Sequence, residues 1–185
     1  MAQNIILVGY RCTGKTTVGK LLAERLARPF ADVDDLVEAH AAKSIKDIFA
    51  AESEAGFRDR ESVALQELCA RSTSVISTGG GAVLREANRA LLKANGFVVW
   101  LTATPETVWA RLQTDPTTAA RRPNLTSTGG EEEVRALIAA REQLYREVAD
   151  CAVACDTLPP AGVADVILTA WTAAQTERSA LRDQQ

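Results

Sequence analysis

Residues 5–16 read Ile-Ile-Leu-Val-Gly-Tyr-Arg-Cys-Thr-Gly-Lys-Thr. From Gly9 to Thr16 the sequence fits G-x-x-x-x-G-K-[ST], the pattern of a loop that binds phosphate groups. The apolar run before this loop is typical of a parallel strand covered on both faces. Apolar residues recur with helical spacing from Val18 to Leu26, directly after the loop. The stretch therefore predicts a strand, a phosphate-binding loop and a helix in succession.

The residue types in this loop suit a nucleotide. Gly9 and Gly14 permit backbone torsions that turn successive amide N–H groups toward phosphate oxygens, and the helix that follows adds its positive dipole end. Lys15 is predicted to reach the β- and γ-phosphates, and the Thr16 hydroxyl to ligate Mg²⁺. The loop residues that we expect to contact the nucleotide are Cys12, Thr13, Gly14, Lys15, Thr16 and Thr17.

Composition and charge narrow the class of protein. The chain has 185 residues and a net charge of −3, so nothing global favours nucleic acid or a membrane surface as a partner. No apolar stretch is long enough to span a bilayer, and no secretory signal is visible. The four cysteines are expected to be reduced, and a single histidine argues against zinc. These features predict a cytoplasmic protein, which we expect to be a monomer.

Strand and helix patterns alternate along the chain. We expect one domain over residues 1–176 and a disordered tail over 177–185. Ser44 is predicted to cap a short helix that Gly56 separates from a longer one. Alternation of this kind favours a three-layer, doubly wound α/β fold around a five-stranded parallel sheet. The expected strands cover residues 4–8, 30–34, 74–77, 97–101 and 151–155.

One segment lacks any periodicity. The stretch from about Thr114 to Gly130 is rich in Thr, Pro, Gly and Arg, and loops of this length are usually functional or disordered. We interpret it as a mobile lid over about residues 112–130. Arg121 or Arg122 would then meet charge that develops on a γ-phosphate, although a simple basic loop fits the residues equally well.

Further polar residues are expected at the carboxyl ends of the strands, where such folds bind ligands. Asp32 and Asp34 are two apart at a strand end, so they can project to the same side. We expect Asp32 to serve the metal and Asp34 to orient an acceptor hydroxyl, or else Asp34 or Asp35 to cap the next helix. Gly79, Gly80 and Gly81 would let the backbone approach a ligand.

Two arginines are candidates for binding an acid. Arg141 falls on the apolar stripe of its helix, where a guanidinium is costly unless it is paired or faces a cleft. The alternatives are a buried carboxylate partner and a bidentate clamp on a substrate carboxylate. Arg58 and Glu61 are i, i+3 neighbours, and a solvated ion pair of little energetic weight is the simpler interpretation.

Taken together, these residues resemble the shikimate kinase family. The resemblance rests on the phosphate loop and on Asp32-Val-Asp34, Phe57-Arg58, Thr78-Gly-Gly-Gly81, Arg122-Pro123 and Arg141 in that order. It implies a nucleoside-monophosphate-kinase-like fold with a lid. It also implies transfer of the ATP γ-phosphoryl group to the 3-hydroxyl of shikimate with Mg²⁺, a step toward chorismate and the aromatic amino acids.

The resemblance also implies residue roles. Lys15, Asp34 and Arg122 would be catalytic, and Thr16 and Asp32 would hold the metal. Arg58, Arg141, Gly80 and Gly81 would bind shikimate together with Asp34, while Arg111 and Arg122 would contact ATP, Arg111 by packing on adenine. Two alternatives stay open, a gluconate kinase-like enzyme and a binding protein without turnover.

Overall fold

A five-stranded parallel sheet lies at the centre of the computed structural model, which describes residues 3–114 and 130–182. Its strand order is β2-β3-β1-β4-β5. Since β1 lies in the middle, the loop that follows it emerges where the chain switches from one half of the sheet to the other. The strands are Asn4–Val8 (β1), Phe30–Asp32 (β2), Val75–Ser77 (β3), Gly96–Thr102 (β4) and Cys151–Ala154 (β5).

Helices cover both faces of this sheet. Alternate side chains of β1 point to opposite faces, so Ile6 packs in one apolar cluster and Ile5 in another. Helices α2, α3, α4 and α6 contribute to the first cluster, and α1 and α7 to the second. This arrangement confirms the predicted three-layer, doubly wound fold. The helices are Lys15–Leu26 (α1), Val33–Ala41 (α2), Ile45–Ala70 (α3), Glu86–Asn95 (α4), Pro105–Thr114 (α5), Gly130–Val148 (α6) and Pro160–Arg182 (α7).

Helix α3 is broken at a different residue from the one predicted. The non-helical residue is Ser53, with φ 66° and ψ 179°, and the helix continues through Gly56. A side chain at Gly56 would meet the Cβ of Glu52 at 2.6 Å. Gly56 therefore allows close packing next to the break. The prediction that Gly56 separates two helices is wrong, since the break lies three residues earlier, at Ser53.

Strand β2 is shorter than predicted. It ends at Asp32, whose Oδ1 accepts a hydrogen bond from the Asp34 amide at 3.0 Å and so caps α2. Asp34 consequently lies in the first turn of a helix and not on a strand. The expectation that both aspartates project from one strand is wrong, because the capping bond turns the chain one residue after Asp32.

Helix α7 is longer than predicted. It reaches Arg182, six residues beyond Thr176, so the tail predicted to be disordered from residue 177 is helical at least that far. The segment Glu177–Arg182 contains neither glycine nor proline and consists mainly of good helix formers. Nothing in the sequence therefore ends the helix where the prediction ended it.

The predicted lid falls largely outside the described residues. Residues 112–114 belong to α5 and Gly130 begins α6, while 115–129, with Arg121 and Arg122, are not described. Among the helices that the structure describes, none combines the length and apolar character needed to cross a membrane.

Candidate active site

The loop after β1 adopts backbone conformations that favour glycine. Gly9 has φ 144° and Gly14 has φ 93°, and Cys12 is also left-handed with φ 60°. A Cβ on Gly9 would lie 2.4 Å from the carbonyl oxygen of Leu101. These torsions confirm the prediction that the two glycines permit the turn. They also place the N-terminus of α1 at the end of the loop. Gly14 is the N-cap residue, and no side-chain hydrogen bond caps the helix there.

The Lys15 side chain is held against the loop. Its Nζ donates hydrogen bonds to the carbonyl oxygens of Gly9 at 2.9 Å and Tyr10 at 2.7 Å. Thr13 Oγ1 also donates to the Tyr10 carbonyl, at 2.9 Å. Lys15 is buried, with only 8% of its surface exposed. The Lys15 ammonium group thus lies inside the phosphate loop.

A cavity of about 330 Å³ opens on the outer side of the loop. Arg111 spans it by donating to the carbonyl oxygens of Cys12 at 3.1 Å and Cys155 at 2.6 Å. Because Arg111 joins the loop to the end of β5, its planar guanidinium is fixed beside the cavity. The other lining residues are Thr13, Gly14, Thr17, Val18, Leu158, Pro160 and Val163.

Thr16 and Asp32 meet at the opposite side of the loop. The Thr16 hydroxyl donates to Asp32 Oδ2 at 3.0 Å. A hydroxyl and a carboxylate oxygen are ligands that suit Mg²⁺, which usually keeps several waters and binds substrate phosphates as well. The described residues contain no cluster of three or more His, Cys, Asp or Glu side chains that would hold a metal by itself. The pair therefore fits a metal that arrives with a nucleotide.

The three consecutive glycines make room for charged groups. A Cβ on Gly79 would lie 2.4 Å from Glu61 Oε1 and 2.9 Å from Asp34 Oδ1. A Cβ on Gly81 would lie 2.3 Å from Arg58 Nη1. The glycines consequently let two carboxylates and a guanidinium pack directly against the backbone after β3.

Arg58 forms a buried ion pair, so the expectation of a solvated pair is wrong. Its Nη1 donates to Glu61 Oε2 at 2.7 Å, and its Nη2 lies 3.1 Å from Glu54 Oε1. Glu61 is 0% exposed and Arg58 is 9% exposed. Burial raises the pKa of the Glu61 carboxyl, and the adjacent Arg58 guanidinium opposes that rise. Sequence spacing gave the pairing but not its burial, which comes from the packing of α3 on the glycines.

Arg141 is buried without a carboxylate partner. It is 7% exposed, and it makes no ion pair with any of the described residues. Its Nη1 donates to the Gly80 carbonyl at 3.3 Å, and the Tyr145 hydroxyl donates to the same oxygen at 2.5 Å. Of the two alternatives for Arg141, the structure therefore favours a guanidinium that faces a cleft over one paired with a buried acid.

Arg58, Arg141 and the glycines line one cavity. Phe49 and Phe57, with ring centroids 4.8 Å apart, form its apolar wall. The cavity has a volume of about 30 Å³, roughly the room for one or two water molecules. Sequence reasoning assigned no site role to Phe49, Tyr10 or Arg11, which line this cavity. It also gave no role to Tyr145, which follows Arg141 by one helical turn and bonds the Gly80 carbonyl beside the cavity.

Replacement of Gly79 by Ala is expected to damage both folding and the site. The new methyl group would overlap Glu61 and Asp34, and overpacking of this kind costs about 1–3 kcal/mol. Thermal unfolding should therefore begin at a lower temperature than in the unsubstituted protein. Gly162→Ala is the control, because its Cβ would make only ordinary contacts of 3.5 Å or more. Equal unfolding temperatures for the two variants would contradict the packing described here.

The family model, the sequence relatives and the solved structures that match this chain all point to one family. Residues 11–172 match the family model described as shikimate kinase. A shikimate kinase from Rhodopirellula baltica is 51% identical over 148 residues, which cover 80% of this chain and 79% of that protein. A structure of shikimate kinase from Acinetobacter baumannii in complex with shikimate has a TM-score of 0.87 at 38% identity, and the match covers 94% of this chain and 95% of that chain.

A gluconokinase provides a useful contrast. The structure of a gluconokinase from Sinorhizobium meliloti has a TM-score of 0.55 at 16% identity, with 97% of each chain covered. A likeness at that identity shows a shared fold alone. The comparisons thus do not favour the gluconate kinase-like alternative.

Proposed function

The chain belongs to the shikimate kinase family, and we propose that its site converts ATP and shikimate into ADP and shikimate 3-phosphate. As a member of that family it is an ATP-dependent phosphotransferase. The observation that carries the choice of acceptor is the buried pocket beside the phosphate loop, where Arg141 has no carboxylate partner among the described residues. A guanidinium in that state suits the carboxylate of an incoming acid.

ATP is assigned to the phosphate loop and the cavity beside it. Lys15 and the loop amides would bind the β- and γ-phosphates, and the base would occupy the cavity along which Arg111 is fixed. Arg111 would stack on the adenine through its guanidinium plane. Support for this assignment comes from the open volume and from the left-handed loop torsions, which are typical of backbone turns that bind anions.

Shikimate is assigned to the cavity lined by Arg58, Arg141 and the glycines. The two guanidinium groups would bind its carboxylate, and Gly80 and Gly81 would lie against its ring. Asp34 would contact the 3-hydroxyl, because its carboxylate packs against Gly79, a residue that lines the same cavity. A pocket of this size must widen before a six-membered ring enters, so we expect binding to move the walls apart.

The transfer itself needs positioning and charge neutralisation more than covalent chemistry. The 3-hydroxyl oxygen forms a bond to the γ-phosphorus while the bond between that phosphorus and the bridging oxygen of ADP breaks. Asp34 accepts the hydroxyl proton. Lys15 neutralises charge on the phosphoryl oxygens as they move, and Arg122, which lies outside the described residues, is proposed to do the same from the lid.

Mg²⁺ is proposed to bind with ATP. Thr16 and Asp32 would hold it, directly or through water, since their oxygens already lie 3.0 Å apart. When bound, the ion would supply positive charge to the β- and γ-phosphate oxygens.

A coupled ADP-release assay tests the function. We expect Mg²⁺-dependent ADP release that requires shikimate and is not supported by gluconate at the same concentration. Release with gluconate alone would instead identify a different small-metabolite kinase. ATP binding without any release would support the alternative of a binding protein without turnover.

Arg141→Met is expected to weaken the binding of shikimate without changing the KM for ATP. Loss of a charge-assisted contact costs about 1.5–3 kcal/mol, which corresponds to a KM for shikimate roughly 10- to 100-fold higher. Arg146→Met is the matched control, because Arg146 lies on the same helix but is exposed and pairs with Glu142 at 2.6 Å. Steady-state kinetics with each substrate varied in turn make the measurement. An unchanged KM for shikimate would remove Arg141 from the acceptor site.

Arg58→Ala is expected to affect protein stability as well as shikimate binding, unlike Arg141→Met. It removes the same kind of contact, but it also leaves Glu61, which is 0% exposed, without its closest positive partner. Breaking a buried ion pair from one side costs about 3–5 kcal/mol, so this variant should lose stability as well as affinity. The Arg141 variant is therefore the better test of the acceptor.

Two further assignments are proposals of the same kind. All four cysteines are free thiols, which supports the cytoplasm as the compartment. Large exposed apolar side chains in the described ranges are scattered over different elements, which supports a monomer. They are Val63, Leu84, Leu158 and Val166. Sedimentation equilibrium would measure the oligomeric state.

A further inference from the structure

Arg11 is a third guanidinium in the acceptor cavity, with no role in the function proposed above. It is the third residue of the phosphate loop, and its side chain lines the same cavity as those of Arg58 and Arg141. Its position therefore connects the two halves of the site, the loop for the phosphates of ATP and the pocket for the acid.

Within the described residues, the Arg11 guanidinium uses few of its hydrogen-bond donors. The side chain is only 10% exposed, and a guanidinium carries five N–H donors. Its Nη2 lies 3.4 Å from Glu133 Oε1, whereas a strong charge-assisted hydrogen bond measures about 2.7–2.9 Å. Its Nε, which is buried, has no hydrogen-bond partner among the described residues. Buried donors without partners are rare in native structures, and a bound anion is one arrangement that would satisfy this donor.

The charges around Arg11 point to an anion. Arg11 and Arg141 lie over the ring of Tyr10, with guanidinium carbons 5.6 Å and 5.7 Å from its centroid. Arg58, by contrast, has two carboxylates within 3.1 Å. Among the described residues, Glu133 forms an ion pair with Arg11 at 3.4 Å, and Glu61 interacts electrostatically with Arg141. Two buried guanidinium groups on one aromatic ring, with so little direct pairing, favour further negative charge from outside the protein.

The location of Arg11 decides which anion this is. Its backbone belongs to the loop, and its amide nitrogen lies 3.2 Å from where a Cβ of Gly80 would be. Arg58 is instead held against Gly81. In the proposed reaction the phosphoryl group moves from the phosphate loop to the acceptor. It therefore passes the border between loop and acceptor cavity, where the Arg11 backbone lies. The planar fork of guanidinium N–H donors also binds phosphoryl oxygens well.

We propose that Arg11 is a substrate-binding residue that contacts the phosphoryl group once it is attached to the acceptor. This inference rests on the function proposed above. Glu133 holds the guanidinium in place before transfer, through the long contact at 3.4 Å. The phosphate of the product then takes its place with shorter bonds. Arg11 consequently favours the product side of the reaction, whereas Arg58 and Arg141 bind substrate and product alike.

Binding of shikimate 3-phosphate and shikimate to four proteins tests this role. The proteins are the unsubstituted enzyme and its Arg11→Met, Arg11→Lys and Glu133→Gln variants, and isothermal titration calorimetry gives each Kd. Arg11→Met should weaken shikimate 3-phosphate binding about 10- to 100-fold, as expected for a lost charge-assisted contact. It should change the Kd for shikimate less than threefold. Arg11→Lys should recover part of the loss, because it restores the charge without the fork.

The Glu133→Gln variant separates binding from a purely structural role. It breaks the ion pair but leaves the guanidinium, so shikimate 3-phosphate should bind as tightly as before or more tightly. Equal losses in Arg11→Met and Glu133→Gln would show that only the ion pair matters and would overturn the proposal. So would an unchanged Kd for shikimate 3-phosphate in Arg11→Met, or an equal loss for shikimate, which would place Arg11 at the carboxylate.

Failure of this inference is distinguishable from failure of the proposed function. If the unsubstituted protein releases ADP with shikimate but Arg11→Met binds the product normally, only the role of Arg11 is lost. If the unsubstituted protein shows no shikimate-dependent release, the function itself is wrong, and the role of Arg11 falls with it. Thermal unfolding of each variant shows whether a change in Kd reflects a folded protein.

Discussion

Lys15→Ala is expected to abolish measurable turnover, with kcat reduced about 10³-fold or more. Removing one donor that stabilises developing charge already costs roughly 10²–10³-fold in other enzymes, and Lys15 carries a full positive charge in a buried position. The loss should exceed any change in shikimate binding, because the ammonium group lies in the phosphate loop and outside the acceptor cavity. Coupled ADP release at saturating ATP and shikimate measures it.

A matched lysine and a second substitution make this test specific. Lys20 lies on the same helix, with its ammonium 6.0 Å from the centroid of the Phe30 ring, and Lys20→Ala should retain activity. Since Lys15 also bonds the carbonyls of Gly9 and Tyr10, its loss can disturb the loop itself. Lys15→Met keeps the aliphatic length and should be equally inactive. Substantial turnover in either Lys15 variant would contradict the assigned role.

Asp34→Asn is expected to lower kcat about 10²- to 10³-fold while the Kd for ATP stays nearly constant. The amide keeps the shape of the carboxylate but cannot accept the hydroxyl proton, and general-base contributions are typically 10²–10⁴-fold. Stability should change little, because the substitution adds no bulk at Gly79. Steady-state kinetics and calorimetric titration with ATP, each in the presence of Mg²⁺, separate the two effects.

Asp35→Asn provides the control for this second variant. Asp35 is the next residue of the same helical turn but is exposed, so its loss should leave kcat unchanged. A variant of Asp34 that loses ATP affinity and keeps kcat would transfer Asp34 to the metal site. The proposed division of labour, with Asp32 toward the metal and Asp34 toward the acceptor, would then be wrong.

The fold could be predicted from the sequence because its signals are local. The apolar run before Gly9 and the glycine-lysine loop mark a strand and a helix at fixed positions, and every later strand is bounded by helical patterns. The breaks and ends were less predictable. Ser53 rather than Gly56 interrupts α3. Gly56 stays in the helix, where it leaves room for the side chain of Glu52. The end of α7 depends on the absence of a stop signal, which a pattern reveals poorly.

The site was predictable only where spacing matched a known chemistry. Arg141 stood out because a charge on an apolar stripe demands an explanation. Glu61 and Arg58 were recognisable as neighbours on a helix, but their burial depends on contacts with Gly79 and Gly81, which lie in a different element. The contact of Arg11 with Glu133 joins the phosphate loop to the start of α6, more than a hundred residues away in sequence. Contacts of that range leave no periodic trace.

The break at Ser53 has a consequence for how such an enzyme acquires new acceptors. It divides α3 so that Phe49 lies before the break, while Phe57 and Arg58 lie after it. Two faces of one pocket therefore belong to a single helix joined at a pivot. We expect a substitution at Ser53 to change the spacing of those faces without altering any group that meets the acceptor. Selection for a bulkier or smaller acid can then act far from the chemistry and leave the phosphate machinery as it was.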